Sequence, residues 1–249
     1  MIVQTDAVVL RSIDYGETSR IVTLYTRHRG KVSVMARGAR AAKSRFGSAL
    51  QPMSYIQAVY YHKPTRELQT LSQASHVQPF NDIGRSLEKM AVGLRIVEIA
   101  NGLLEEEQND EIFLLLVRSL ATLNEVHERV HNVLPYFQLR LAIALGFEPG
   151  FARDSVARLT DEGGVLSLET GDVYPASAMV PSGKPASREA IRAFAISARA
   201  ELAHVLALDL TTGTVRELDT LIEAYYRHHV GSSYPSRGNR VLNQLLPGG

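Results

Sequence analysis

Arg20-Ile-Val-Thr-Leu-Tyr-Thr26 and Lys31-Val-Ser-Val-Met-Ala36 flank the tight turn His28-Arg29-Gly30 near the front of the chain. Both runs are rich in β-branched and aromatic residues, and glycine supplies the backbone freedom that a short turn needs. Working outward, residues 7–13, 55–61 and 67–72 have the same character. Five short strands separated by turns are typical of a small closed barrel, and the OB-fold is the best-known five-stranded case.

From residue 81 onward the period of the apolar residues changes from two to about 3.6, which indicates helices. Helices are predicted from Asn81 or Asp82 to Leu104, from Asn109 to Leu123, and over residues 130–145, 187–207, 214–230 and 239–246. Residues 150–185 are rich in Gly, Ser and Pro and predict a hairpin-bearing insertion. The expected architecture is α+β, with a five-stranded OB-fold domain over residues 1–80 and an α-helical domain over 81–249, interrupted by that insertion.

The stretch from Thr18 to Arg66 contains no Asp or Glu but ten Lys or Arg residues. Neutralising a phosphate releases condensed counterions, so such a surface gains affinity for nucleic acid with each cation. Phe46, within the densest basic run, is the candidate for stacking on a base. The predicted nucleic-acid-binding residues are Arg27, Arg29, Lys31, Arg37, Arg40, Lys43, Arg45, Phe46, Lys63 and Arg66, with Arg237 and Arg240 extending the surface from the tail. The alternative is a solvated basic face without a partner.

The overall charge of +1 hides an asymmetry between the two parts of the chain. Residues 1–80 carry 11 Lys or Arg against 4 Asp or Glu, a net charge of +7, whereas residues 81–249 carry 16 against 22, a net charge of −6. This division favours nucleic acid on the first part and protein contacts on the second. The chain has no cysteine, no signal-peptide pattern and no apolar run long enough for a membrane. We therefore expect a cytoplasmic, nucleoid-associated protein without disulfides.

One enzyme motif is present, because His127-Glu128-Arg-Val-His131 matches the H-E-x-x-H pattern of zinc metalloproteases. The longer metzincin pattern needs Gly at 134 and His at 137, where this chain has Leu134 and Phe137. The nearest downstream acid, Glu148, lies in a Gly/Pro break and not on a second helix. The favoured interpretation is therefore a polar helix start, with no catalytic residue and no metal, and the protease is kept as an alternative.

Four segments of the basic stretch resemble the signature of the bacterial recombination mediator family RecO: Gly30-Lys31, Ala36-Arg37-Gly38-Ala39-Arg40, Ser44-Arg45-Phe46 and Leu50-Gln51-Pro52. Later segments resemble the same family in the same order: Phe137-x-Leu139-Arg140-Leu141, Leu145-Gly146-Phe147 and Ser236-Arg237. The resemblance therefore covers essentially the whole chain.

The resemblance implies an N-terminal OB-fold, a helical domain and a small insertion that carries a four-cysteine zinc site in many members. The corresponding positions here are Asp154, Ala157, Ser167 and Thr170. Because these residues cannot replace four thiolates, the expected insertion is a degenerate zinc ribbon without metal or any other cofactor. Val156, Leu159, Val165 and Leu168 are expected to hold it together.

The resemblance also implies a non-enzymatic mediator of recombination and DNA repair that binds single- and double-stranded DNA and anneals complementary strands. It implies action with RecR to help load RecA onto DNA coated by single-strand-binding protein (SSB). The acidic, apolar tail of SSB would need an apolar pocket beside a cation, for which Phe137, Leu139 and Arg140 are the candidates. Two further hypotheses stay open, an RNA-binding OB protein and a protein adaptor that binds no nucleic acid.

Overall fold

A computed structural model describes residues 1–235 of the chain. The chain divides into two compact units, residues 1–125 and 126–249. The first unit holds the strands of the barrel and two helices, whereas the described part of the second holds the remaining helices and a small sheet. None of the helices within residues 1–235 is both long and apolar enough to cross a membrane.

The barrel consists of β1 (Ile2–Tyr15), β2 (Ser19–Thr26), β3 (Gly30–Ala36), β4 (Tyr55–Tyr61) and β5 (Leu68–Gln78). Its strand order is β1-β2-β3-β5-β4, and β1 pairs with β4 to close it. Only the β3–β5 pair is parallel. This arrangement confirms the predicted OB-fold, in which closure leaves few strand edges unpaired.

Two strands are longer than the sequence pattern predicts. β1 begins at Ile2 and not at residue 7, because its first half pairs with β4 while its second half pairs with β2. β5 likewise continues to Gln78, where its polar residues pair with β4. Backbone pairing with a neighbour thus extends both strands beyond the part that alternating apolar residues reveal.

The core of the barrel contains the inward-facing residues of all five strands and three residues of the β3–β4 loop, Phe46, Ala49 and Leu50. These three side chains are each no more than 3% exposed. The loop is therefore fixed at its second half by burial of apolar surface, which favours one conformation for the basic residues that precede it.

Two helices complete the first unit, α1 (Leu87–Leu103) and α2 (Asp110–Glu125). The predicted start of α1 at Asn81 or Asp82 is wrong, because α1 begins at Leu87 and the side chain of Ser86 caps it by accepting the backbone N–H of Lys89 at 3.3 Å. Asp82 instead precedes a separate 3₁₀ turn, Ile83–Arg85. The predicted start of α2 at Asn109 agrees with the structure, since Asn109 Oδ1 caps the helix by accepting the backbone N–H of Ile112 at 2.9 Å.

The second unit contains α3 (Val133–Ala144), α5 (Arg188–Arg199), α6 (Leu202–Leu206) and α7 (Thr212–Val230). The single helix predicted over residues 187–207 is two helices, because Ala200 has an extended backbone with ψ 158°. The side chain of Arg140 donates a hydrogen bond to the Ala200 carbonyl at 2.7 Å. This carbonyl lies between α5 and α6, where no helical N–H is available to it.

The insertion contains the short helix α4 (Arg153–Ala157) and the strands β6 (Gly164–Ser167), β7 (Val173–Pro175) and β8 (Gly183–Ala186). The strands form an antiparallel sheet in the order β7-β6-β8, which confirms a hairpin-bearing segment. Leu159 and Val165 are buried as expected, whereas Val156 and Leu168 are half-buried. Leu166, which is fully buried, is not among the expected residues. Within residues 1–235, no group of three or more His, Asp or Glu is placed to hold a metal ion.

Candidate nucleic-acid interface

The folded barrel separates the basic residues into two groups at opposite ends of β3. The loop cluster, defined as Arg37, Arg40, Lys43 and Arg45, follows the end of β3. The turn cluster, defined as Arg29, Lys31, Lys63 and Arg66, lies in the β2–β3 turn, at the start of β3 and in the β4–β5 loop. A seven-residue strand with a rise of about 3.3 Å per residue places its two ends about 20 Å apart.

The loop cluster presents its charges to solvent. All four of its residues are exposed. The backbone N–H of Arg40 donates to Thr18 O at 2.9 Å, which ties the loop to the β1–β2 turn. Arg37, Lys43 and Arg45 have no carboxylate partner within the described residues, so their charges are available to an external anion.

Asp14 partly neutralises this end of the barrel. Its carboxylate lies 3.1 Å from Arg20 Nε and 3.3 Å from Arg40 Nε. Arg40 also donates to the Gly16 carbonyl at 3.1 Å. Arg40 therefore orders the β1–β2 turn as well as contributing charge, which distinguishes it from Arg37 and Lys43.

The interpretation of Phe46 as a stacking platform is wrong. Its side chain is 3% exposed and belongs to the core of the barrel. The guanidinium of Arg45 lies 5.0 Å from the centre of its ring, in a cation–π contact. An apolar residue in a basic loop can either pack into the core or stack on a base. Here the ring packs into the core, because burying its apolar surface stabilises the fold.

A polar cavity of about 570 Å³ lies beside the turn cluster. Arg29, Lys31 and Arg66 line this cavity together with His28 and His62. One Nη atom of Arg29 lies 3.4 Å from His62 Nε2. Lys31 Nζ donates to the Asn101 carbonyl at 3.2 Å, so this cation is held against the end of α1.

Arg27 is paired within the protein. Its Nε lies 2.7 Å from Asp110 Oδ1, and its Nη2 lies 3.3 Å from Asp110 Oδ2. The hydrogen bond from Arg27 lowers the pKa of Asp110 below its ordinary value. Arg27 is a predicted DNA contact, yet its guanidinium fork already binds a carboxylate in this conformation.

A half-buried strip of β2 and β3 connects the two clusters. Ile21 lies opposite Met35 in the register, and Thr23 lies opposite Ser33. The residues between them along each strand, such as Val22 and Val34, point into the core. The strip is therefore the outer face of the sheet, and this is the face on which OB-folds bind oligonucleotides. Alternation along the predicted strands could have identified these positions.

Two exposed tyrosines lie near the clusters. Tyr60 is in the core while Tyr61 is 48% exposed, as expected for adjacent strand residues of which one points inward. Tyr61 ends β4, next to the loop of Lys63 and Arg66. Tyr15 is 55% exposed at the end of β1, next to the turn that Arg40 orders. These two rings, and not Phe46, are available for stacking.

The comparison with known proteins agrees with this geometry. The sequence model described as "Recombination protein O N terminal" matches residues 1–80, and the model described as "Recombination protein O C terminal" matches residues 84–238. The chain belongs to the RecO family. Its members are recombination mediators that act in DNA repair without being enzymes.

Several curated relatives named "DNA repair protein RecO" align over almost the full chain. The relative from Salinibacter ruber is 49% identical over 245 residues, which cover 98% of this chain and 94% of the relative. The relative from Anaeromyxobacter dehalogenans is 33% identical over 98% of this chain and 97% of its own length. The one from Chloroherpeton thalassium is 29% identical over 99% of this chain and 100% of its own length.

The partner site predicted from the RecO resemblance does not form on the surface. Phe137 and Leu139 are both 0% exposed, so neither can contact a partner there. Arg140 is only half-buried, but its side chain binds the Ala200 carbonyl. The apolar pattern of this segment reflects the core of the second unit. Arg237 and Arg240 lie outside the described residues.

The H-E-x-x-H motif does not form the local structure that zinc binding requires. α2 ends at Glu125, before His127 and Glu128, and Arg129 adopts a left-handed conformation with φ 53°. Two histidines four residues apart bind one metal only when a regular helix places them on one face. His127 and His131 therefore do not lie on one regular helix, as the zinc-protease alternative requires.

Proposed function

We propose that the protein binds single- and double-stranded DNA through the OB-fold and acts as a mediator of homologous recombination. The observation that carries the proposal is the placement of two cation clusters at opposite ends of β3, the loop cluster exposed and the turn cluster partly exposed, with the half-buried strip between them. An OB-fold with a basic groove and a sheet face open to bases is a common arrangement for binding single strands. Membership of the RecO family supports DNA as the nucleic acid.

A single strand would run from the turn cluster to the loop cluster. The distance of about 20 Å along β3 suits a few nucleotides, at the lower end of the ~4–16 nucleotides that one OB-fold covers. Phosphates would contact Arg29, Lys63 and Arg66 at one end and Arg37, Lys43 and Arg45 at the other. Because phosphate contacts carry no sequence information, binding would tolerate many sequences.

Strand annealing follows from the same charges. Two complementary strands repel each other through their phosphates, and a cationic surface reduces this repulsion when it contacts both. The exposed side chains of the loop cluster can approach a second backbone while the strip holds the first. The same contacts would bind a duplex through its phosphates alone.

The proposed partners are RecR, RecA and SSB. We propose that the protein acts with RecR to help RecA load onto single strands that SSB covers, and that it also binds the acidic, apolar tail of SSB. A protein with this role would work on the chromosome, in the nucleoid region of the cytoplasm.

Binding of a labelled single strand, measured against salt concentration, tests the proposal. The logarithm of the affinity should fall steeply with the logarithm of salt, by about 0.7 per neutralised phosphate, and EDTA should have no effect. An RNA strand of the same sequence should compete more weakly than DNA. Absence of binding at low salt would contradict the proposal, and stronger competition by RNA would favour the RNA-binding hypothesis.

A further inference from the structure

The polar cavity beside the turn cluster is formed by segments that lie far apart in the sequence. Its walls come from the β2–β3 turn, the start of β3, the β4–β5 loop and the acidic linker, defined as residues 104–109 between α1 and α2. Three cations line it, Arg29, Lys31 and Arg66, together with the hydroxyls of Ser33 and Thr65. A concave site with this many hydrogen-bond donors suits an anion that has several free oxygens.

A buried amide fixes the loop that carries Arg66. The side chain of Gln69 is buried, and its Oε1 accepts the backbone N–H of Lys63 at 2.8 Å. Its Nε2 donates to the carbonyls of Lys63 and Arg66. The β4–β5 loop is therefore held in one conformation, so less conformational entropy is lost when an anion binds there. Arg66 is exposed and its side chain makes no hydrogen bond or ion pair within residues 1–235.

A buried hydroxyl fixes the turn that carries Arg29. Thr26 Oγ1 accepts the backbone N–H of Arg29 at 3.1 Å and donates to the Gly30 carbonyl at 3.0 Å. The contact between Arg29 and His62 Nε2 has the imidazole as acceptor, because a guanidinium can only donate. It occupies one Nη atom of Arg29, so the other N–H groups of the guanidinium are left to an external acceptor among the groups that the structure describes.

The cavity lies at one end of the half-buried strip, and the acidic linker lies next to it. Ser33 belongs to both the strip and the cavity wall. The backbone N–H of Lys31, at the start of β3, donates to the Glu105 carbonyl at 2.9 Å, and Glu106 lines the cavity. Glu105, Glu106 and Glu107 are all exposed. A strand that follows the strip towards the start of β3 therefore reaches the cavity and then meets carboxylates, which repel a phosphate backbone that continues further.

We infer that the cavity binds the terminal phosphate of a DNA strand, so that the strand ends at the turn cluster. The inference rests on the proposed function, because it needs a strand on the strip. A terminal phosphate has three free oxygens and carries about −1.5 to −2 charges at pH 7, whereas a phosphate within a strand has two free oxygens and a single charge. The terminal group therefore uses more of the donors in the cavity, and no part of the strand has to pass the acidic linker.

The test uses the full chain and an oligothymidylate of about eight nucleotides, a length that one OB-fold covers. A fluorescein on an internal base reports binding by anisotropy, and both ends stay free. Three forms are compared, with a 5′-phosphate, with a 3′-phosphate and with hydroxyl groups at both ends. A phosphate at one of the two ends should tighten binding about tenfold, because charge-assisted hydrogen bonds to guanidinium groups are strong. A phosphate at the other end should change binding by no more than about twofold, as expected for an exposed charge.

Arg66→Gln should remove the advantage of the phosphorylated end. Arg37→Gln is the matched control, because Arg37 is an exposed cation of the loop cluster at the other end of β3 and does not line the cavity. It should weaken all three forms and keep the ratio between them. Inorganic phosphate, added at constant ionic strength, should reduce the ratio towards one and leave the hydroxyl strand unchanged. Circular dichroism should show that both variants are folded.

The comparison separates the inference from the proposed function. Absence of binding by the hydroxyl strand contradicts the proposed function, whereas normal binding without a gain from either phosphate overturns this inference alone. Equal gains from the two phosphates also overturn it, and so does a ratio that Arg37→Gln lowers as much as Arg66→Gln. Thymidine monophosphate or inorganic phosphate that binds as tightly as the phosphorylated strand would show that the cavity takes free phosphates and not strand ends.

Discussion

The guanidinium of Arg27 donates to both carboxylate oxygens of Asp110, at 2.7 Å and 3.3 Å. Close by, the backbone N–H of Lys31 donates to the Glu105 carbonyl at 2.9 Å. A β-carbon on Gly30 would clash with backbone atoms of Glu105 and Glu107, so the turn packs directly against this acidic linker. Acidic residues that lie outside the Thr18–Arg66 stretch in sequence therefore lie beside it in the structure. The net positive charge around the turn cluster is smaller than the composition of the stretch indicates.

Replacing Asp110 with Asn should strengthen DNA binding. The change removes a negative charge beside the turn cluster and releases Arg27 for a phosphate. The affinity for a single strand should rise by a few fold, and the salt slope should steepen by about 0.7. Fluorescence anisotropy against salt measures both quantities. Glu125→Gln, at the other end of α2, makes the same charge change and should leave both unchanged; equal gains in the two variants would argue against a local effect.

Removing two free cations of the loop cluster should weaken DNA binding without unfolding the protein. Arg37 and Lys43 are exposed and make no hydrogen bond from their side chains within residues 1–235. The double change Arg37→Ala and Lys43→Ala should reduce the single-strand salt slope by about 1.4, because two phosphate contacts are lost.

The control for this double change is Arg118→Ala with Arg158→Ala, which removes two exposed arginines elsewhere. The control should keep the slope and the affinity. Thermal unfolding should show a similar midpoint for all forms, since isolated surface charges contribute little to stability. A loop variant that binds and anneals DNA normally would mean that the phosphate path lies on another face.

The sequence predicts the OB-fold well because the decisive information is local. Alternation in β2 and β3 and the turn before Gly30 place those strands without knowledge of the rest of the chain. The net charge of the interface cannot be predicted from neighbouring residues in the sequence. It depends on Asp110, which is distant from Arg27 in sequence but forms an ion pair with it in the structure.

The same reasoning explains the errors on Phe46, Phe137 and Leu139. An apolar residue in a basic or amphipathic segment is compatible with either exposure or burial, and only the tertiary packing decides. All three are buried here.

Replacing Tyr61 with Ala should weaken the binding of single-stranded DNA more than the binding of duplex DNA. A free aromatic face contributes about 1–3 kcal/mol for each stacked base, whereas paired bases in a duplex offer no face to it. We expect single-strand affinity to fall by at least fivefold and duplex affinity to stay nearly constant. Tyr174→Ala is the control, since Tyr174 is also exposed, at 39%, but lies in the insertion. Equal losses on single and double strands would show that Tyr61 acts without stacking.

Replacing Phe46 with Ala should destabilise the barrel. The buried ring fills the core beside Ala49 and Leu50, and its removal leaves a cavity that costs about 3–5 kcal/mol. Denaturant unfolding, followed by a probe of the β-sheet, measures the loss. Phe46→Leu keeps most of the apolar volume, so it should retain most of the stability and bind single-stranded DNA as tightly as the unchanged chain. A stable Phe46→Leu protein that has lost single-strand binding would restore the stacking role to Phe46, because leucine can replace the ring as a core anchor but not as an aromatic platform.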